Sequence, residues 1–297
     1  MPRNLVLALL ILFGPVTLLA EDPAAKVDKP LWEYGVGVGY FTYENYPSSN
    51  NYSYQLLPFP IFQYRGESLR ADDRDGARAY IFKKSNWSFD FSGDIWPGQT
   101  WATDSNRVGM PALPWIFALG PQLLYDFSEH WQFRLSAMPA FAANGTIVET
   151  TGGYFDLRQL YKWSQQLPWT NHCISSGNVA LSFQGGTQDF LANYFEVSAQ
   201  QAIPNRPAYR AVGGLLTYEL SVFESLTFGR TGIYLGGSLD NYDQSANHSS
   251  PLDKSDHNFT YFAGLTYTLG ESTKKAYKEQ ETEGLVNRYK EYKQESK

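Results

Sequence analysis

The sequence predicts an all-β chain: a transmembrane antiparallel up-and-down β-barrel of ten or twelve strands, followed by a polar helical tail on the periplasmic side. Three observations predict it. Apolar and polar residues alternate with period two in run after run, the signature of strands with two unlike faces. The apolar phase is edged by Trp and Tyr, as at the boundary between hydrocarbon and water. The chain also opens on a secretory signal.

That signal comprises Arg3, an apolar run from Leu5 to Phe13, a break at Gly14-Pro15, and Ala20 ahead of Glu21-Asp22. Residues 1–20 are the expected signal peptide and 21–31 a periplasmic lead-in. Beyond residue 20 no run of about 18 apolar residues occurs, so no helix of this chain is expected to cross a bilayer. A barrel remains open, because half of each strand is polar, and the mean hydropathy of -0.38 is what such averaging produces.

The barrel is expected over residues 32–270. Its first strand sets Trp32, Tyr34, Val36, Val38 and Tyr40 against Glu33, Gly35, Gly37 and Gly39. The cleanest alternation is Trp87, Phe89, Phe91 and Ile95 against Ser88, Asp90, Ser92 and Asp94. A third sets Trp131, Phe133, Leu135 and Phe141 against Gln132, Arg134 and Ser136. In order, the periodicity predicts strands over 32–41, 53–65, 67–83, 86–96, 113–127, 130–141, 153–163, 178–189, 208–222, 225–239 and 257–269. Eleven strands cannot close a barrel with both ends on one side. Either a further strand lies near 192–202 or the 67–83 run breaks at Asp75-Gly76. Tight turns are expected at Gly66-Glu67, Ser128-Glu129 and Glu224-Ser225, and long loops at 42–52, 97–112, 142–152, 164–177 and 240–256, with the side of 97–112 unassigned. The last strand places Phe259, Tyr261, Ala263, Leu265, Tyr267 and Leu269 on one face, and Phe262 alone interrupts the polar one.

Residues 271–297 change regime. They are rich in Lys and Glu, and Leu285, Tyr289 and Tyr292 recur at helical spacing, so a periplasmic helix is expected there, read either as a solvated, partly frayed helix or as a docking helix for a periplasmic enzyme or for peptidoglycan.

Composition removes several classes of function. The chain carries 24 basic and 30 acidic residues, which argues against nucleic acid as a partner. A lone Cys173 forms no internal disulfide, and export with one cysteine fits the outer membrane of a Gram-negative envelope. The GxGxG at 35–39 is not a nucleotide loop, because no helix follows it.

In their order and spacing, several stretches resemble the MipA/OmpV family of outer-membrane proteins between about Trp32 and Leu269. They are GVGVG at 35–39, LPFPIFQYRG at 57–66, Gly120-Pro121 ahead of Tyr125, and Asn193-Tyr194-Phe195-Glu196-Val197. Tyr209 with Gly213-Gly214, Ser249-Ser250-Pro251-Leu252, and the closing Phe262-Ala263-Gly264-Leu265-Thr266-Tyr267 complete the pattern. The resemblance implies an outer-membrane barrel, with some members acting as scaffolds that join a murein hydrolase to a murein synthase. The tail after Gly270 departs from that pattern, and the 142–177 region looks longer than usual.

Candidate lumen-lining residues are Glu33, Asp90, Asp94, Arg134, Arg158, Lys162 and Glu219, all on the polar phase of their strands. Arg65, Arg70, Arg78, Arg210 and Arg230 are placed less securely. The charged set reads either as interlocking ion pairs filling a narrow barrel or as the lining of a selective channel. His130, His172, His248 and His257 share no strand face with a nucleophile, so no enzyme is expected, and neither a cofactor nor a metal site is assigned. Asp240, Asp243, Asp253 and Asp256 could gather divalent cations near lipopolysaccharide phosphates, and lipid and lipopolysaccharide are the expected surroundings. The expected function is a non-enzymatic scaffold for cell-wall enzymes. Its rivals are a narrow pore for small solutes and an adhesin using the outer loops.

Overall fold

A computed structural model describes residues 29–66, 68–72, 76–98, 104–167, 170 and 173–276. The chain forms a closed barrel of twelve antiparallel strands, each paired with its neighbours in sequence, and the last strand closes on the first. The strands are β1 (Trp32–Glu44), β2 (Tyr52–Arg65), β3 (Leu69–Asp72), β4 (Gly76–Lys84), β5 (Trp87–Trp96) and β6 (Trp115–Asp126). They continue with β7 (Trp131–Asn144), β8 (Ile147–Gln166), β9 (Cys173–Gly186), β10 (Gly214–Phe228), β11 (Thr231–Asn241) and β12 (His257–Glu271).

Twelve follows because the 67–83 run is two strands. β3 and β4 form a hairpin in which Asp72 pairs with Gly76 and Leu69 with Ala79. The alternative position near 192–202 holds no strand; one helix, α1 (Gln188–Phe195), takes its start. Two further expectations are corrected. The β10–β11 turn lies at Gly229-Arg230, with Gly229 at φ +57°, and not at Glu224-Ser225. Glu224 sits inside β10, where Trp163 Nε1 and Ser175 Oγ donate to its carboxylate at 3.0 and 2.6 Å. The 142–152 loop is in fact the tip of the long β7–β8 hairpin, where Asn144 pairs with Ile147.

The outward face is the predicted one. Tyr34, Val36, Val38 and Tyr40 on β1, and Phe259, Tyr261, Leu265, Tyr267 and Leu269 on β12, all point away from the barrel. Aromatic belts ring this face near both ends. At the end carrying the chain termini Trp32 stacks on Tyr34, Trp87 meets Tyr125 at a tilt, and Trp131 meets Tyr161 edge-on. At the opposite end Tyr40 meets Tyr261, Phe183 meets Tyr218, and Phe117 meets Phe141. Two belts separated by aliphatic side chains match the interfaces of a bilayer, whose apolar band on such barrels is about 25 Å tall. Among the described residues no helix is long and apolar enough to cross a membrane.

The short connections Ser85-Asn86, Phe127–His130 and Gly229-Arg230 share the rim with both termini, which is the periplasmic rim of an outer-membrane barrel. There the closing ladder continues past the barrel. Pro30 pairs with Lys275, Leu31 N–H donates to the Lys274 carbonyl, and Ala276 N–H donates to the Lys29 carbonyl. The long connections 45–51, 97–114, 187–213 and 242–256 all leave from the opposite, outer rim, which assigns the side of 97–112.

Candidate functional site

The outer mouth is closed by a lid with its own hydrophobic core. Tyr46, Leu113, Phe190, Leu191, Tyr194, Phe195, Val197, Ala211, Tyr242 and Leu252 are almost fully buried there. They pack down on Ile116, Ala118, Met138, Ala140 and Tyr154 of the upper barrel wall. α1 supplies the centre because Phe190, Leu191, Tyr194 and Phe195 recur at intervals of three and four, making one apolar face. Its entry is pinned by Thr187, whose Oγ1 accepts from Gly153 N–H at 2.9 Å while its own N–H donates to the Gly153 carbonyl.

Polar clamps join the four outer segments. Asp104, at the start of a 3-10 turn (Ser105–Arg107), accepts from Asn45 Nδ2, Ser49 Oγ, Asn51 Nδ2 and the Asn106 N–H at 2.8–3.1 Å. Burial alone would raise its carboxyl, but these four hydrogen bonds outweigh burial and hold it below the ordinary carboxylate value. Arg206 donates to the carbonyls of Asn106, Val108 and Gln201. The fully buried Asn247 exchanges two hydrogen bonds of 2.9 Å with the Val212 backbone. The sequence carries little local sign of this lid, because most of its apolar residues lie in loops without periodicity and α1 is too short for its own to stand out.

Beneath the lid the lumen has two unlike sides. On the β4–β9 side lies a polar cavity of about 240 Å³ lined by Asp94, Gln122, Arg134, Asp156, Arg158 and Asn178 among others. Arg158 Nε stands 3.1 Å from Asp156, and the buried Asp90 stands 3.8 Å from Arg78. Arg134 donates to Gln132 at 2.6 Å, and Gln184 to Glu219 at 2.9 Å. Lys162 is buried on β8, and Glu33 pairs with Arg65 at 2.6 Å near the periplasmic rim. Three of the seven predicted lumen residues, Asp94, Arg134 and Arg158, thus share one cavity, while Asp90, Lys162, Glu219 and Glu33 stand elsewhere. Asp156 was missed although it lies two residues before Arg158, on the same strand phase. Of the less secure arginines, Arg65, Arg70 and Arg78 are buried, whereas Arg210 and Arg230 are exposed in a loop and a turn.

The β10–β12, β1 and β2 side is aromatic. Phe262 stacks on both Phe41 and Phe223 at centroid distances of 6.1 and 6.0 Å, and Phe59 meets Phe41 edge-on. Phe262, which interrupts the polar phase of β12, is the sequence signal for this side. Phe41, Phe59, Ile61, Tyr234 and Phe262 line a cleft of about 430 Å³.

The cleft lies against a discontinuity in the wall. β2 pairs with β1 along its whole length, but with β3 only at Tyr64–Ala71 and Arg65–Arg70. The stretch from Tyr52 to Gln63 extends roughly 40 Å at about 3.3 Å per residue. Among the described residues, most of that edge of β2 therefore has no strand beside it.

The remaining expectations concern loops and tail. Asp243 and Asp256 are exposed, but Asp240 takes Ser238 Oγ at 2.9 Å and Asp253 pairs with His248 at 2.7 Å, so the four aspartates do not converge. Burial pushes the Asp253 carboxyl up, against the opposing His248 contact. His130 Nδ1 lies 3.0 Å from the Lys162 carbonyl oxygen, and His257 begins β12. His172 lies outside the described residues, as do Leu285, Tyr289, Tyr292 and the signal segment. Among the described residues no three His, Cys, Asp or Glu side chains are grouped to hold a metal ion.

Residues 35–269 match the family model described as MltA-interacting protein MipA. No curated protein matches the chain. Among solved structures it is similar to a bacterial polysaccharide outer membrane secretin, at 8% identity and a TM-score of 0.37, covering 81% of this chain and 99% of that one. It is also similar to OccK2 (OpdF) of Pseudomonas aeruginosa, at 11% identity and a TM-score of 0.23, covering 72% and 67%.

Proposed function

The chain belongs to the MltA-interacting protein MipA family, and from that premise we propose that it is a non-enzymatic outer-membrane scaffold that holds murein hydrolases, and the synthases that work beside them, at the periplasmic rim. The family match over nearly the whole barrel carries this reading, since the family's name records an interaction with the murein hydrolase MltA. Two features of the fold support it. Both chain ends leave from the periplasmic rim side by side, paired through Pro30 and Lys275, so any docking element they carry faces the murein layer. The outer mouth is covered by a packed apolar lid, which weighs against solute passage as the main activity.

The rival reading is a narrow pore, favoured by the polar cavity at Asp94, Arg134, Asp156 and Arg158. One experiment separates the two. The intact protein is captured from crosslinked envelopes beside a version truncated after Ala276, which keeps the rim ladder but lacks the tail. Recovery of murein hydrolases or synthases with the intact protein supports the scaffold, and dependence on the tail places the docking element after residue 276. Absence of both enzyme classes from both samples, together with ion conductance in planar bilayers, overturns it in favour of the pore.

A further inference from the structure

We propose that the break in the wall between β2 and the β3–β4 hairpin is a lateral window through which a hydrocarbon chain of a surrounding membrane lipid enters the Phe41–Phe59–Tyr234–Phe262 cleft. The cleft is lined from both faces of the wall. Phe41, Phe59, Ile61 and Phe262 belong to the lumen phase, while Pro60, Phe62, Ala71 and Ala77 belong to the outward, lipid-facing phase. A cavity that passes through the wall has such a mixed lining. Ala77 also borders the polar cavity, so the window stands where both lumen compartments meet the bilayer.

The exposed edge of β2 is adapted to hydrocarbon. Arg65 N–H donates toward β1, to the Leu31 carbonyl, so odd-numbered residues of β2 face β1 and even-numbered ones face the open edge. Pro58 and Pro60 are two of the even-numbered positions, with Tyr54, Leu56 and Phe62, whose N–H would point to that edge, and proline has none to leave unsatisfied. This gives the PFP of residues 58–60 a physical reason.

The occupant follows from the surroundings. The lid closes the aqueous route from outside, the window lies between the aromatic belts, and the exposed, outward-phase neighbours Leu56 and Phe62 present hydrocarbon to hydrocarbon. About 430 Å³ holds on the order of a dozen methylene groups if each takes roughly the volume of a water molecule. Glycines keep the space open. A Cβ on Gly37 would come within 2.7 Å of the Phe59 ring, whereas one on Gly264 would meet nothing nearer than 3.5 Å and would project into the cleft.

The test uses the full chain in phospholipid vesicles containing a trace of phosphatidylethanolamine with a photoactivatable diazirine midway along one acyl chain. After irradiation, adducts are mapped by peptide mass spectrometry. Expected are adducts on the inward Phe59, Tyr234 and Phe262, falling about ten-fold or more in Gly264→Leu, which fills the cleft, and in Ala77→Leu, which narrows the window. Adducts on the lipid-facing Val38 and Leu265 remain constant. Folding of each variant is read from its heat-dependent shift in gel mobility. Wild-type adducts confined to the lipid-facing positions overturn the proposal, whether or not the variants fold. So do inward adducts that neither folded variant diminishes.

Discussion

Asp104 shows how one side chain ties distant loops together, since its two oxygens join residues 45–51 to the 3-10 turn across the outer mouth. Its carboxyl is held below the ordinary carboxylate value, so ionised Asp104 stabilises the lid above that value, and the stabilisation fades as pH falls through the lower folded value. Protection of residues 45–51 against amide exchange is expected to hold from pH 7 to 5 and to decline below about pH 4. Asp104→Ala removes that pH step and costs the lid about 1–3 kcal/mol, because four donors lose their acceptor. Gly152 makes a second residue-scale prediction. It stands at φ +98°, and a Cβ there would fall 2.2 Å from Thr187 Oγ1, so Gly152→Ala displaces the start of α1 and exposes the lid to protease while leaving the barrel folded. Some inward residues were legible one by one: Phe262 broke the phase of its strand, and Arg158 kept it. Asp104 was not, because nothing local marks a loop aspartate whose four donors include three from residues 45–51.

At the scale of elements, β12 and β5 were legible because one phase meets lipid along the whole strand, so local alternation carries the signal. β10 was displaced by six residues for the opposite reason. Its Glu224-Ser225 reads as a polar turn, yet Trp163 and Ser175 of neighbouring strands satisfy the carboxylate inside the wall. α1 escaped notice because eight residues are too few for a periodicity to stand out. Its energetic weight is nonetheless large. Phe190 is fully buried against Trp96 and Tyr154, so Phe190→Ala is expected to weaken lid docking by about 3–5 kcal/mol. In planar bilayers the wild type is expected to stay closed and Phe190→Ala to show flickering conductance, since the polar cavity then opens to the outside. A variant as silent as the wild type, with the substitution confirmed to loosen the lid, would mean that the ion pairs beneath form the seal.

For the whole molecule, closure of the barrel and presentation of the termini are one event. β12 returns to β1, and the ladder runs on through Ser272, Lys274 and Ala276, where Trp32 N–H donates to Ser272 Oγ at 3.2 Å. Truncation after Gly270 is expected to lower the thermal midpoint relative to truncation after Ala276, by the equivalent of about 1–3 kcal/mol for the backbone bonds lost at the rim. Equal midpoints would show that the ladder positions the ends without stabilising the barrel. The sequence by itself determined that this protein is an outer-membrane barrel with a lipid-facing aromatic phase and a polar lumen phase, because a strand's two faces meet different media and the pattern repeats every second residue. Only the tertiary structure decided that the mouth is closed, that four lumen charges share a cavity, and that, among the described residues, most of one edge of β2 has no strand beside it. Each of these depends on residues far apart in the chain, such as Tyr46 with Leu252 or Pro60 with Ala77, whose meeting is set by the closed ring and left no periodic trace along the sequence.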